Sequence, residues 1–189
     1  MKLFGIVDPA SRTLDEATLL RRCERNLPGR AARVIDAYRE ARRARGEGVA
    51  PADLWFAIET DRLFRAGSMR LAELQRAHQP RTYAYCFTWE SPWNGGVLGA
   101  AHALDIPFVF GTQDLPSLRA FTGAGPEASA LAERMQDAWV AFARSGDPSH
   151  PGLPHWPAYD GARRATMLLG ARCGVALAFQ EPERRLWER

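Results

Sequence analysis

The sequence predicts an α/β chain, mostly helical, with a few strands of an incomplete sheet. Three stretches carry that reading. Thr82-Tyr83-Ala84-Tyr85-Cys86-Phe87-Thr88-Trp89 is dense in aromatic residues and threonine and reads as a largely buried strand. Pro126 to Ser145 is the strongest helix: proline suits a first turn, and Leu131, Met135, Ala138, Trp139 and Phe142 supply its apolar stripe. Thr166 to Leu169 reads as a short terminal strand.

The first residues are apolar at once. Leu3, Phe4, Ile6 and Val7 have no polar lead-in, as if the chain were entered within an element. The run is too short for the apolar region of a secretion signal, so the chain as given is expected to be cytoplasmic, its compartment otherwise unknown. Thr13-Leu14-Asp15-Glu16 reads as a capping box that opens a helix running to about Asn26, with Pro28-Gly29 ending it. A second helix is expected over about 29–45, with Ala32, Ile35 and Tyr38 on its apolar face. Gly46 to Pro51 is a linker. Helices follow over about 51–65 and 68–78, with His78 on a charged end.

After strand 82–89, Ser91 to Gly96 is a loop that can rim a pocket with Trp89 and Trp93. Small residues in Gly99-Ala100-Ala101-His102-Ala103 let the backbone turn sharply and deliver one histidine. Ile106 to Phe110 is too short for a helix and rich in β-formers. Its Ile106, Phe108 and Phe110 are expected to bury their side chains and anchor the loop. Beyond Gly146-Asp147-Pro148 the chain is a proline-rich loop holding His150 and His155, then strand 166–169, then a charged, frayed end.

The sequence Tyr83-x-Tyr85-x-Phe87-x-Trp89, then Leu98-Gly99-Ala100-x-His102, then Ile106-Pro107-Phe108-Val109-Phe110-Gly111 resembles the histidine-bearing segment of type B carboxylesterases, the cholinesterase and para-nitrobenzyl esterase family. Asp61 with Phe64, the Ser-Gly-Asp-Pro after the long helix, and Trp156-Pro157-x-Tyr159 match that family too. The resemblance implies the C-terminal part of an α/β-hydrolase fold, a single partial domain over 1–189 that lacks its N-terminal part. It implies a carboxylic ester hydrolase with His102 as the triad histidine. Leu3 and Phe4 are candidate substrate-pocket residues, because the family's triad acid lies just before that segment, and Trp89 is a candidate substrate-binding residue.

The rest of the chemistry is missing. Serine hydrolysis needs a nucleophile on a Gly-x-Ser-x-Gly elbow, upstream of the acid and the histidine. None of the serines at 11, 68, 91, 117, 129, 145 and 149 has glycine two residues away on both sides. Asp105, Asp8, Asp15 and Glu16 are weak substitutes for the acid. The chain is therefore expected to be inactive alone, with three readings open: a C-terminal fragment, one half of a split esterase completed by an N-terminal half in trans, or a non-catalytic interaction module.

Bulk properties narrow the partners. With 46% apolar and 25% charged residues, the composition is ordinary and globular. The net charge of +3 is mild, and Lys2 is the only lysine among 25 basic residues, without a dense basic run, so no nucleic-acid partner is expected. No segment reaches a membrane-spanning length, and no membrane partner is expected. Cys23, Cys86 and Cys173 lack metal-ligand spacing, so neither a disulfide framework nor a metal is expected. The resemblance adds no cofactor, and a small-molecule ester as substrate once the fold is completed.

Overall fold

A computed structural model describes residues 2–6 and 8–188, the side chains of Leu3 and Phe4 excepted. The chain divides into two compact units, one of residues 1–70 with 180–189 and the other of residues 71–179.

The first unit is helical. Its α1 spans Glu16–Asn26, α2 Ala31–Ala44 and α3 Pro51–Thr60. The α1 cap differs from the expected Thr13–Glu16 box. Asp15 is the N-cap, its carboxylate accepting from the Thr18 amide at 2.7 Å, and Glu16 reaches across to Arg39 at 2.8 Å instead. A carboxylate is the stronger acceptor for an orphan amide, so the aspartate wins. The α2 helix buries Ala31, Val34, Ile35, Tyr38 and Ala41, whereas Ala32 faces water. Ala31, Val34, Ile35 and Tyr38 join Leu19, Cys23, Leu27, Leu54 and Ile58 in one core.

The helices expected over 51–65 and 68–78 form a continuous run. A π-helical stretch, Asp61–Arg65, leads from α3 into α4, Ala66–Arg76. The wider turn carries a buried charge. Asp61 accepts from the Tyr38 hydroxyl at 2.6 Å, and Tyr38 in turn accepts from the Trp187 indole at 2.8 Å. Burial pushes the Asp61 carboxyl above its ordinary range, with Arg65 and Tyr38 pulling the other way.

The chain end is not frayed. Glu181–Arg184 forms a short helix and Arg185–Trp187 a 3-10 turn, with Glu183 only 2% exposed. Glu183 pairs with Arg45, Arg30 donates to the Leu186 carbonyl, and Arg184 binds Glu181 and Glu188. A sequence dense in charge reads as solvated; these charges are paired in space, which sequence order alone does not reveal.

The second unit holds the sheet. β1 is Tyr85–Phe87, β2 Thr166–Leu169 and β3 Gly174–Ala176, in the order β1-β2-β3. β1 runs parallel to β2 with Tyr85 opposite Met167, and β2 runs antiparallel to β3. The ladder at β1 is shorter than strand 82–89, and Tyr85 is 40% exposed rather than buried. The flanks stay extended, with Thr82 accepting from Tyr159 and Thr88 donating to Leu169, but β2 offers only four residues to pair with. β3 follows a tight turn and carries too short an apolar run to be read from sequence.

Four helices accompany the sheet: α5 Trp93–Gly96, α6 Ile106–Val109, α7 Arg119–Thr122 and α8 Pro126–Ser145. The α8 bounds coincide with the expected helix. Gly146 ends it in the left-handed conformation, φ +74°, returning its amide to Phe142 at 2.7 Å. The buried stripe is Ala128, Leu131, Ala132, Met135 and Ala138, while Phe142 is exposed. It packs with Phe108, Met167 and Leu169.

Candidate functional site

His102 sits on a turn at the end of a long loop that starts where β1 stops. Two clamps fix the start of that loop. The Trp89 indole donates to the Thr122 carbonyl at 2.7 Å, and the Ser91 hydroxyl donates to the Phe121 carbonyl at 2.5 Å. Thr122 itself is fully buried and donates its hydroxyl to Gln113 at 2.7 Å and Leu118 at 2.9 Å. The strand's end is thus stapled to α7. Gly123, with φ +81°, follows directly and lies 3.5 Å from Pro92 at its would-be Cβ.

A bridge between Ser91 and Gly99 then closes the loop on itself, with the Ser91 amide donating to Gly99 at 3.0 Å. Beyond the bridge the chain alternates between inside and outside. Leu98, Ala101 and Leu104 are buried, whereas His102 is exposed. Gly99 and Ala103 both take positive φ, +56° and +66°. For an alanine this is a strained backbone, of the kind held in place only where its surroundings dictate it. Buried neighbours on either side and a strained link after it fix where His102 stands.

The segment after it departs from expectation. Ile106 to Val109 is a turn of helix, because Pro107 suits a first turn and the Asp105 carbonyl accepts from Phe108 and Val109. Of the three anchors only Phe108 is buried; Ile106 is 52% and Phe110 73% exposed. On a helical turn, positions 106 and 110 share the side that faces away from Phe108's core. Phe108 contacts Phe87 and Trp89, with ring centroids 5.3 and 5.7 Å apart.

The carboxylates that could stand in for the acid are already engaged. Asp105 accepts from the Tyr85 hydroxyl at 2.8 Å, and burial, then this carboxylate, hold the Tyr85 hydroxyl protonated far above neutrality. Asp8 pairs with Arg22 at 2.5 Å, which holds its carboxyl below the usual range. Asp15 caps α1 and Glu16 binds Arg39. His150 also has a structural duty: Nδ1 accepts from the Gly152 amide and Nε2 faces the Arg134 carbonyl at 3.0 Å. His78 is exposed. The side chains of Leu3 and Phe4 lie outside the described residues. Among the described residues no group of three or more His, Cys, Asp or Glu side chains is arranged to hold a metal.

Sequence reasoning missed Ser91, Gln113 and Thr122. Small polar residues in loops carry no periodic signal, and only the fold shows that Thr122 lies under Trp89.

A short parallel strand feeding a long loop, with the long helix α8 beside the sheet, is part of an α/β-hydrolase fold, the fold of its structural neighbours. The model of the carboxylesterase family matches residues 8–187, and the chain belongs to that family. It is 34% identical to the phenmedipham hydrolase of Pseudarthrobacter oxydans, over 66% of this chain and 26% of the relative. It is 35% identical to the para-nitrobenzyl esterase of Bacillus subtilis, over 61% of this chain and 23% of that one. The crystal structure of a Geobacillus stearothermophilus carboxylesterase superposes with a TM-score of 0.81 at 37% identity. That match covers 98% of this chain and 38% of the other. The chain therefore spans about a quarter of the length of these two curated relatives.

Proposed function

We propose that this chain is the histidine-bearing part of a serine carboxylic ester hydrolase, and that His102 is its catalytic base. The observation that carries the reading is the presentation of His102: an exposed imidazole between buried Ala101 and Leu104, on a loop clamped at Trp89 and Ser91. It lies in the segment whose motifs resemble the family's histidine loop. The 189 residues form one partial α/β-hydrolase domain, a reading supported by a family match that runs through both units.

The chemistry follows from imidazole. His102 takes the proton of a serine hydroxyl as that oxygen attacks the ester carbonyl, and returns it to the departing alcohol. In the second half it takes a proton from water, which attacks the acyl group, and returns it to the serine as the acid leaves. This chain holds no serine elbow, so serine and acid come from sequence outside it. Trp89 supports the loop by its bond to Thr122 and is the substrate-side residue of this unit. The substrate class is a small carboxylic ester.

The test adds the N-terminal portion of the Geobacillus stearothermophilus carboxylesterase to the purified chain and follows a short-chain p-nitrophenyl ester. The chain alone shows no turnover above a heat-killed control. Turnover arises on mixing and disappears with His102→Ala. Turnover by the chain alone, abolished by His102→Ala, shows that the chain is catalytically complete. Turnover on mixing that survives His102→Ala refutes the assignment of the base.

A further inference from the structure

Two buried carboxylates of the helical unit lie within electrostatic reach of each other. Asp61, 5% exposed, opens the π-helical turn, and Glu183, 2% exposed, stands on the short helix Glu181–Arg184. Taking two like charges out of water is costly unless each is fully paired. Here the pairing is incomplete. Asp61 accepts from Tyr38 and lies 3.4 Å from the Arg65 guanidinium. Glu183 binds Arg45 through Oε1, whereas its buried Oε2 has no hydrogen-bond partner among the described residues. Arg45 is also divided, since it binds Glu47 at 2.7 Å; Arg42 binds Glu47 as well, at 2.9 Å.

The same residues fasten segment 181–187 to α2. The Trp187 indole donates to the Tyr38 hydroxyl, and that hydroxyl donates to Asp61. Glu183 reaches Arg45, just past the end of α2. Leu186 and Trp187 pack on the core around Tyr38 and Ile58. Two further links, from Arg30 to the Leu186 carbonyl and from Arg65 to the Gln180 carbonyl, involve no carboxylate. The charged and titratable groups that face Asp61 are Tyr38 and Arg45 from α2 and its end, Arg65 from its own turn, and Glu183 from the short helix.

We propose that Asp61 and Glu183 make segment 181–187 a pH-sensitive latch. With a proton on Asp61, the Glu183 charge is buried beside Arg45 and the segment stays seated on α2. Loss of that proton sets two buried carboxylates against each other, and the segment loosens. The direction follows from the surroundings of Asp61. Burial first, and then Glu183, raise its carboxyl above the ordinary 3.8, while Arg65, Tyr38 and Arg45 pull against them. Releasing the segment hydrates Asp61 and takes Glu183 away from it, which returns the carboxyl toward the ordinary value. The proton is held more tightly in the seated state. The latch is therefore at full strength below pH 3.8 and weakens as the pH rises through the higher seated value. The device lies within the helical unit and does not depend on the role of His102.

The experiment follows hydrogen exchange in the full chain between about pH 4 and pH 8, expressed as protection factors that remove the intrinsic pH dependence of exchange. The reporters are the Arg184 and Arg185 amides, bonded to the Gln180 and Glu181 carbonyls, and the Trp187 indole N–H. Amides of α8, in the other unit, serve as the reference. Protection of the reporters is expected to fall by roughly fivefold or more with rising pH while that of α8 holds. Asp61→Asn, whose carbonyl still accepts from Tyr38, abolishes the fall. Glu183→Gln keeps the size of the side chain, removes its charge and makes the fall shallower. Circular dichroism checks that each variant is folded, and if Asp61→Asn is not, the wild-type profile and Glu183→Gln decide. Wild-type protection that stays flat, or a fall matched by α8, overturns the latch. So does a fall that persists in folded Asp61→Asn, or one as steep in Glu183→Gln as in the wild type.

Discussion

Trp89 and Thr122 are joined by a 2.7 Å hydrogen bond from the indole to the backbone carbonyl, across 33 residues of chain. That bond ties the end of β1 to α7 and so sets the origin of the loop that carries His102. Trp89→Phe keeps the packing on Phe108 and removes the donor. It is expected to cost about 1–2 kcal/mol in urea unfolding and to speed exchange at the amides of residues 91–99. Unchanged exchange there shows that the clamp is dispensable.

Gly123 tests the same staple through the backbone. At φ +81° a side chain is strained, although the nearest atoms leave room for a methyl group. Gly123→Ala should lower stability by about 1 kcal/mol, read as a shift in the urea midpoint at constant slope. A neutral result shows that residues 122–125 relax freely.

Much of this unit was legible in advance. Helix 126–145 was readable to the residue, because a first-turn proline, a helical apolar period and a terminal glycine all agree. Strand 166–169 was readable for its apolar composition. Ile106–Phe110 was not, because β-forming side chains pointed to an extended block while Asp105 and Pro107 set a helical turn. The buried C-terminal segment escaped as well: Glu183 and Arg184 look solvated until Arg45, Glu181 and Glu188 are seen beside them. Of the site, His102 was visible only through the family motif around it, and its clamp at Thr122 had no signal in sequence.

Asp61 provides a pH test. Its carboxyl is raised above the ordinary value of 3.8, chiefly by burial. A raised carboxyl binds its proton more tightly in the folded than in the unfolded state. Its contribution therefore favours folding at low pH and is lost as the pH rises above 3.8 through the higher folded value. Asp61→Asn removes that dependence while its carbonyl still accepts from Tyr38. The stability of Asp61→Asn relative to the wild type should rise with pH across this window. A difference that stays flat shows that Asp61 does not titrate abnormally.

Glu183 tests the closure of the chain end. Glu183→Ala leaves Arg45 with Glu47 alone and releases the last helix from α2. The expected loss is about 1–3 kcal/mol, together with faster exchange at residues 181–187. Full retention of both shows that the Trp187–Tyr38 and Arg30–Leu186 bonds hold the segment without Glu183.

The most direct measurement is a fusion in which this chain replaces the matching part of the Geobacillus stearothermophilus carboxylesterase, so that serine, acid and His102 share one polypeptide. The fusion is predicted to hydrolyse a short-chain p-nitrophenyl ester, and His102→Ala within it to lower kcat by roughly a thousandfold or more. A folded fusion without activity, or a His102→Ala fusion as active as its parent, contradicts the assignment of His102 as the catalytic base.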